Sequence, residues 1–274
     1  MKVVVITGST RGIGRGLADS FLANGCAMMV SGRAREDVDR VVSDLTGVHG
    51  ASRVSGQPCD VTVFAQVQAL WDAAVARFGR IDIWINNAGI SQPQMDFWSH
   101  APGPIEAVVD TNLVGTMYGC KVALQGMMEQ GAGAVYNMEG LGSDGRWVEG
   151  LTLYATTKYA LRYLDQSLAK EVEGSGLIVG AIAPGMVITD LITDQYRERP
   201  QDWEDAKRIF NILADRVETV VPWIAEQVLA NDKNGARIAW LSRSKIMGRF
   251  LTARFRQRDL FADKQDTESF RPGS

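Results

Sequence analysis

Short apolar, β-branched runs alternate along the chain with longer stretches whose apolar residues recur at helical spacing. The strand candidates are Val3–Thr7, Ala27–Ser31, Arg53–Cys59, Ile81–Asn86, Gly133–Met138, Leu177–Ala183 and Ala236–Leu241. Helical periodicity marks Ile13–Ala23, Phe64–Phe78, Ile105–Glu129 and Leu153–Glu173 between them. Apolar strands separated by helices imply βαβ units and an α/β fold. Its parallel sheet is buried on both faces and its crossovers are right-handed. The alternation breaks twice, at a long insert over Met186–Asn234 and at a trailing segment over Ser242–Ser274. No Pro/Ser-rich linker and no repeat divides the chain, which predicts one domain over 1–241, a lid-like insert at 186–234, and an extension at 242–274. Excursions of this length carry substrate or oligomer contacts more often than core structure.

Composition narrows the function without choosing it. With 274 residues, 46% hydrophobic and 22% charged, the chain has ample apolar material for a core. A net charge of −3 argues against a nucleic-acid binder, which needs a broad basic face. Cys26, Cys59 and Cys120 are odd in number and scattered, and only His49 and His100 could join them, so no metal site is expected. Reduced thiols in a cytoplasmic compartment fit that pattern. The run VVVI after Lys2 is too short for a signal sequence or a membrane span, which needs ~20 apolar residues.

The chemistry begins at TGSTRGIG, Thr7 to Gly14, between the first strand and the first helix. Glycines at 8, 12 and 14 allow a tight turn and close backbone approach, while Thr10, Arg11 and Ile13 complete the loop. The helix N-terminus beyond it offers unpaired N–H groups and a partial positive charge to a pyrophosphate. At the end of the second strand, VSGR (30–33) has no acid until Glu36. Arg33, helped by Arg11, could pair a ribose 2′-phosphate, which favours NADP(H); otherwise both are solvated surface arginines. Asp60 and Val61 are placed to bracket adenine, and Asn87, Ala88 and Gly89 to leave room for a ribose. Each segment alone could be turn chemistry. Together they recur at the carboxyl ends of successive strands, where open α/β sheets bind ligands.

The segment NMEGLGSDGRWVEGLTLYATTK ends on Tyr154 and Lys158, which share a helix face at i and i+4. A phenol near pKa 10 is a poor acid at neutral pH, and a neighbouring ammonium can stabilise its ionised form. TGSTRGIG, NNAG (86–89), YATTK (154–158) and PGMVITD (184–190) together resemble the short-chain dehydrogenase/reductases. The resemblance implies a single-domain Rossmann fold, a doubly wound parallel sheet of about seven strands with helices on both faces. It also implies hydride transfer with a nicotinamide cofactor and a dimer or tetramer. By the same resemblance Asn112, in DTNLVGT, holds a water that joins Lys158 to solvent. Thr189 bonds the nicotinamide carboxamide after Pro184 and Gly185, with the peptide N–H of Val187 or Ile188 assisting. The family's serine stands three residues after the strand asparagine and thirteen before the tyrosine; here those positions are Gly140 and Leu141. Ser143 is the only nearby serine. A loop one residue longer and rich in glycine could bring it to a substrate carbonyl, or it could simply serve the turn.

NMEGLGSDG, PGMVITDL, FNILADRVETVVP, RIAWL and the downstream GRF also resemble the chlorophyll b reductases of the non-yellow-coloring type. That resemblance implies reduction of the C7 formyl of chlorophyll b to hydroxymethyl with NADPH. Phe97, Trp98, Trp147, Leu191, Ile192, Tyr196, Trp203, Phe210 and Leu213 could supply faces for a planar tetrapyrrole, or could form a lid packed on itself. The tail holds Arg243, Lys245, Arg249, Arg254, Arg256 and Arg258, with Ile246, Met247, Phe250, Leu251 and Phe255 near helical spacing. It could lie on an anionic membrane through 242–258, clasp a second subunit, or cover its own sheet. A reductase of another bulky apolar carbonyl, or a silent nucleotide-bound sensor, stands as the competing reading.

Overall fold

The computed structural model describes residues 1–196, 200–253 and 258–261. The first half runs β1 (Val3–Ile6), α1 (Gly12–Ala23), β2 (Ala27–Val30), α2 (Arg35–His49), β3 (Val54–Gly56), α3 (Phe64–Phe78) and β4 (Ile83–Asn86). After α4 (Pro102–Val109) and α5 (Gly115–Gln130) come β5 (Gly133–Met138), α6 (Thr152–Glu171) and β6 (Leu177–Ala183). The remainder is β7 (Val187–Ile188), α7 (Asp190–Thr193), α8 (Pro200–Leu213), β8 (Asp215–Arg216), α9 (Val217–Ala230), β9 (Arg237–Ala239) and α10 (Arg243–Ala253).

Seven strands form one sheet in the order β3-β2-β1-β4-β5-β6-β9, and every neighbouring pair is parallel. This is the doubly wound α/β fold that the alternation predicts. The strand order reverses between β1 and β4, which opens a crevice at their carboxyl ends. Side chains alternate across the sheet. Val4 and Ile6 enter one core with Leu17, Phe21, Val38 and Ile224, under α1, α2 and α9. Val5 enters the other with Leu70, Trp71, Cys120 and Met127, under α3 and α5.

Two departures from the sequence pattern bear on the site. The single helix expected over Ile105–Glu129 is two helices, α4 and α5, joined by a π-helical turn at Asp110–Val114. Such a turn shifts the helical register by one residue and occurs often at functional sites. The segment 186–234 divides into two parts. Helix α9 packs its Val220, Val221, Ile224, Ala225 and Val228 into the main core, so only the stretch through α8 stands apart from the sheet. That stretch builds a third small core of Trp203, Phe210 and Ala214 with Met186, Ile188, Ile192 and Tyr196.

Candidate active site

At the switch point the loops after β1 and β4 are tied together. The Thr7 hydroxyl accepts from the backbone N–H of Asn87 at 3.0 Å and of Ala88 at 3.1 Å. Asn87 Nδ2 donates in turn to the carbonyls of Thr7 at 2.9 Å and Gly8 at 3.0 Å. Gly8 has φ +63°, and a Cβ there would stand 2.9 Å from Ala88 Cα, so this approach excludes any side chain. A Cβ on Gly14 would overlap the Gly8 carbonyl. Thr189 closes the other side, its methyl 3.5 Å from where a Cβ on Gly12 would lie. Ser9, which sequence reasoning passed over, pins the loop to β2 by donating to Ile6 O at 2.9 Å and accepting from Ser31 N at 2.9 Å.

The other predicted cofactor residues surround this cradle. Thr10 packs on Gly32 at the end of β2, and Ile13 lies partly buried on the first core. Arg11, at the N-cap of α1, and Arg33 are both exposed, and among the described residues neither forms an ion pair. Asp60 Oδ1 accepts from Thr62 N and Oγ1 at 3.0 and 2.8 Å, which holds the turn after β3. Val61 is buried against Gly115. Pro184 and Gly185 follow β6, with Gly185 at φ +75° against Leu241, and Val187 is buried in β7. A side-chain-free cradle at a helix N-terminus, with two exposed cations beyond it, fits a dinucleotide diphosphate.

Tyr154 and Lys158 project from the first turns of α6. Lys158 is buried, and its Nζ donates to Met138 O at 3.0 Å and lies 5.7 Å from the Tyr154 ring centroid. A Cβ on Gly89 would sit 3.3 Å from Asn112 Oδ1 and 3.7 Å from Lys158 Nζ, so these three residues converge. Asn112 stands in the π-helical turn. Its Oδ1 accepts from Ile90 N at 2.8 Å, and its Nδ2 donates to Ile90 O at 2.9 Å and Thr157 Oγ1 at 3.2 Å. Its side chain therefore fixes the segment after NNAG to α6.

The electrostatics differ from the simple picture of an ammonium acidifying a phenol. Burial pushes Tyr154 up to about 12, and burial brings Lys158 down to about 8, with Asp165 and Glu139 acting the other way. Burial alone acts on the phenol, and the ammonium, 5.7 Å from the ring centroid, is itself desolvated.

Ser143 is buried, and its hydroxyl donates to Glu139 Oε2 at 3.1 Å. No hydrogen bond joins it to Tyr154 among the described residues, and its Glu139 bond keeps it within its own loop. Gly140 lies at the phenol instead, and a Cβ on it would overlap the Tyr154 hydroxyl.

Several residues of this neighbourhood escaped the sequence pattern. Glu139 is 3% exposed and receives Arg237 through Nε at 2.9 Å and Nη2 at 2.6 Å. A buried polar chain runs from Trp84 Nε1 to Asn86 Oδ1 at 2.7 Å, and from Asn86 Nδ2 to Asn137 Oδ1 at 2.8 Å. Asn137 Nδ2 then donates to Asp165 Oδ1. Asp165 Oδ2 is buried without a partner among the described residues, and burial raises this carboxyl to about 8. One signal was available for Asp165: it falls seven residues after Lys158, on the same helix face.

The expected substrate-facing aromatics separate into two groups. Tyr196, Trp203, Phe210 and Phe261 pack on one another, with centroid distances of 4.9 Å for Trp203–Phe261 and 5.4 Å for Tyr196–Trp203. These serve the lid's own core. Trp98 and Trp147 are 82% and 79% exposed, and Phe97 is also exposed. Their segments meet where Met95 N donates to Gly150 O at 3.3 Å, just ahead of α6. The tail folds onto its own lid, with Arg249 and Arg258 both bonded to Asp215, at 2.7 and 2.8 Å. Met247, Phe250 and Leu251 of α10 are exposed, while Arg254, Phe255 and Arg256 lie outside the described residues. No helix of the described residues is long and apolar enough to cross a membrane.

A diphosphate cradle at the switch point, with a tyrosine and a lysine converging on the loop beside it, defines a nicotinamide-dependent oxidoreductase. Residues 2–200 match the family model described as short chain dehydrogenase, and the chain belongs to that family. It is 33% identical over 266 residues to a rice protein named probable chlorophyll(ide) b reductase NYC1, chloroplastic, covering 91% of this chain and 52% of the relative. It therefore spans about half the length of that relative. It is also 35% identical to the rice chlorophyll(ide) b reductase NOL, covering 84% of this chain and 67% of that protein. A 3alpha-hydroxysteroid dehydrogenase of Mediterraneibacter gnavus is 34% identical, over 70% of this chain and 76% of that one. Among solved structures, levodione reductase superposes with a TM-score of 0.81 at 26% identity, covering 89% of this chain and 97% of its own. An actinorhodin polyketide ketoreductase with NADPH superposes at 0.79 and 25% identity, covering 87% of this chain and 95% of its own.

Proposed function

We propose that this chain is an NADPH-dependent reductase of a bulky, apolar carbonyl compound, with the C7 formyl of chlorophyll b, reduced to hydroxymethyl, as its leading substrate. The observation that carries the reading is the pair Trp98 and Trp147, exposed on two segments that meet at the start of the helix bearing Tyr154. Flat aromatic faces on segments that lead into the helix of a proton donor suit a planar macrocycle carrying a reducible carbonyl. The likeness to NYC1 and NOL over most of the chain supports the same substrate class. Arg33 and Arg11, with no carboxylate at the end of β2, support NADPH over NADH. When bound, the dinucleotide supplies the hydride that the formyl carbon takes up.

The chain's own part is to bind, orient and protonate. The glycine cradle seats the diphosphate, and Thr189 faces it from the far side. Tyr154 donates its phenolic proton to the carbonyl oxygen. A phenol held near 12 is protonated across the physiological range, so it starts each cycle as the acid. Lys158 lies beside it and is the group placed to stabilise the phenolate left behind.

The test is single-turnover oxidation of NADPH with chlorophyll b, with the pigment product identified, in wild type and Tyr154→Phe. Loss of the proton donor should slow the reaction by ~10²-fold or more; equal rates would remove Tyr154 from the chemistry. A second reading, a bulky alicyclic ketone, is favoured by the bacterial hydroxysteroid dehydrogenase likeness. A substrate panel holding both chlorophyll b and a 3-oxosteroid separates the two.

A further inference from the structure

The corner at the end of β5 touches both members of the Tyr–Lys pair. The Met138 carbonyl accepts from Lys158 Nζ at 3.0 Å, and two residues later Gly140 lies against the Tyr154 hydroxyl. Between these contacts stands Glu139. Its backbone N–H donates to Ile182 O of β6 at 2.8 Å, while its Oε2 takes Arg237 Nε and Nη2 from β9 and the Ser143 hydroxyl from the loop beyond. The corner is thus tied to β6 by its backbone, and to β9 and its own loop by one buried carboxylate. A charge so buried is retained only at a cost unless its partners repay it, and here a two-pronged arginine does so from one side only.

We propose that Glu139 is a positioning residue of the reductase. Clamped by Arg237 and Ser143, it holds the 138–140 corner against Lys158 and Tyr154 and presents negative charge to the Lys158 ammonium. This rests on the reading that Tyr154 and Lys158 carry the proton chemistry. Of the two tasks the sequence offers Ser143, this gives it the one in the turn: the hydroxyl braces the clamp rather than touching substrate.

Charged groups face Lys158 from two elements. Asp165 lies on its own helix α6, Glu139 at the end of β5, and the Tyr154 ring one turn away. Arg237 of β9 stands behind Glu139. Asn137 of β5 and the Cys120 thiol of α5 stand behind Asp165. Burial lowers Lys158 to about 8, and both carboxylates oppose that fall. Removing the Glu139 charge must therefore lower it further.

The experiment follows the Cε resonance of Lys158 through a pH titration of 13C-lysine-labelled protein, assigned with Lys158→Met. Turnover with NADPH and the best carbonyl of the panel is measured in parallel. In Glu139→Gln the midpoint should move down; in Glu139→Asp, which keeps the charge, it should stay near wild type. In Ser143→Ala the midpoint should stay, while kcat falls ~10-fold with KM for NADPH unchanged, because only the brace is lost. An unmoved Lys158 midpoint in Glu139→Gln, or equal shifts in Gln and Asp variants, overturns the charge role. Unchanged kcat in both Glu139→Gln and Ser143→Ala, where Tyr154→Phe is inactive, overturns the clamp. If Tyr154→Phe turns over like wild type, the reductase reading fails by itself, and the Lys158 titration still decides whether Glu139 faces that ammonium.

Discussion

The hydroxyl of Tyr154 occupies the space that a side chain on Gly140 would fill. The pairing is geometric: the loop after β5 passes so close to the phenol that only hydrogen fits on the loop side. The colliding atom is the far end of a side chain that can rotate, so a small residue at 140 need not unfold the protein. It must move the phenol instead.

Gly140→Ala and Gly140→Ser should therefore lower kcat by ~10-fold or more while leaving the melting temperature and NADPH affinity near wild type, since a displacement near 1 Å at the reacting group is costly. The serine variant is the more telling of the two. It places a hydroxyl at one of the two positions, 140 and 141, to which the family spacing points, yet it should lose activity here. A gain of activity in Gly140→Ser would show that the phenol has room to accommodate it.

The buried carboxyl of Asp165 sets a pH dependence of stability. Its folded value is raised by burial from 3.8 to about 8, with Asn137 donating to it and Lys158 opposing the rise. A group raised on folding stabilises the native state fully below its unfolded value, and that contribution is lost as pH climbs through the folded value. Between pH ~4 and ~8 the wild type should lose stability relative to Asp165→Asn, which cannot ionise. Melting curves of both proteins at several pH values across this window test it; parallel curves would mean the carboxyl titrates normally.

What the sequence reveals, and what it hides, divides along physical lines. Strands β5 and β6 and helix α3 have the bounds that their apolar runs predict, because glycines and polar residues punctuate them on both sides. The cradle was legible for a similar reason: a phosphate loop needs glycine at fixed, local offsets. Glu139 and Arg237 are 98 residues apart and meet only because β5 and β9 flank β6 in the sheet, so no local pattern joins them. The π-helical turn around Asn112 was equally hidden, since one extra residue leaves the apolar period nearly intact over a long stretch. The aromatic residues of α8 were visible but ambiguous. Trp203 and Phe210 could face a substrate or each other, and only the packing with Tyr196 and Phe261 shows that they build a satellite core.

The proposed preference for NADPH rests on Arg33. Exposed at the end of β2 and without an ion-pair partner among the described residues, it stands where a ribose carboxylate ligand would otherwise be. Arg33→Ala should weaken NADPH by ~1.5–3 kcal/mol, the loss of a charge-assisted hydrogen bond, and leave NADH nearly unchanged. Fluorescence titration of both dinucleotides gives the difference directly; equal losses would return Arg33 to the role of a surface charge.

The lid is anchored by Asp215, and that anchor can be removed without touching the cradle. Asp215 is buried and accepts from Trp240 Nε1 at 2.6 Å, Arg249 at 2.7 Å and Arg258 at 2.8 Å. Burial works to raise its carboxyl, but the three donors outweigh burial and hold it below the usual carboxylate range. Stability from this source is present above the unfolded value of 3.8 and is lost as pH falls through the folded one. Asp215→Asn leaves two arginines facing a neutral amide. Breaking a buried ion pair from one side should cost about 3 kcal/mol. The loss should appear locally before it appears globally, because this carboxylate holds Arg249 and Arg258 against the end of α8, which packs in the satellite core rather than the main one. Limited proteolysis should therefore cut the variant within 200–213 faster than wild type, while the melting of the sheet, followed by the buried Trp84, shifts less. Equal cleavage rates would show that the satellite core of Trp203 and Phe210 holds the lid without its charged anchor.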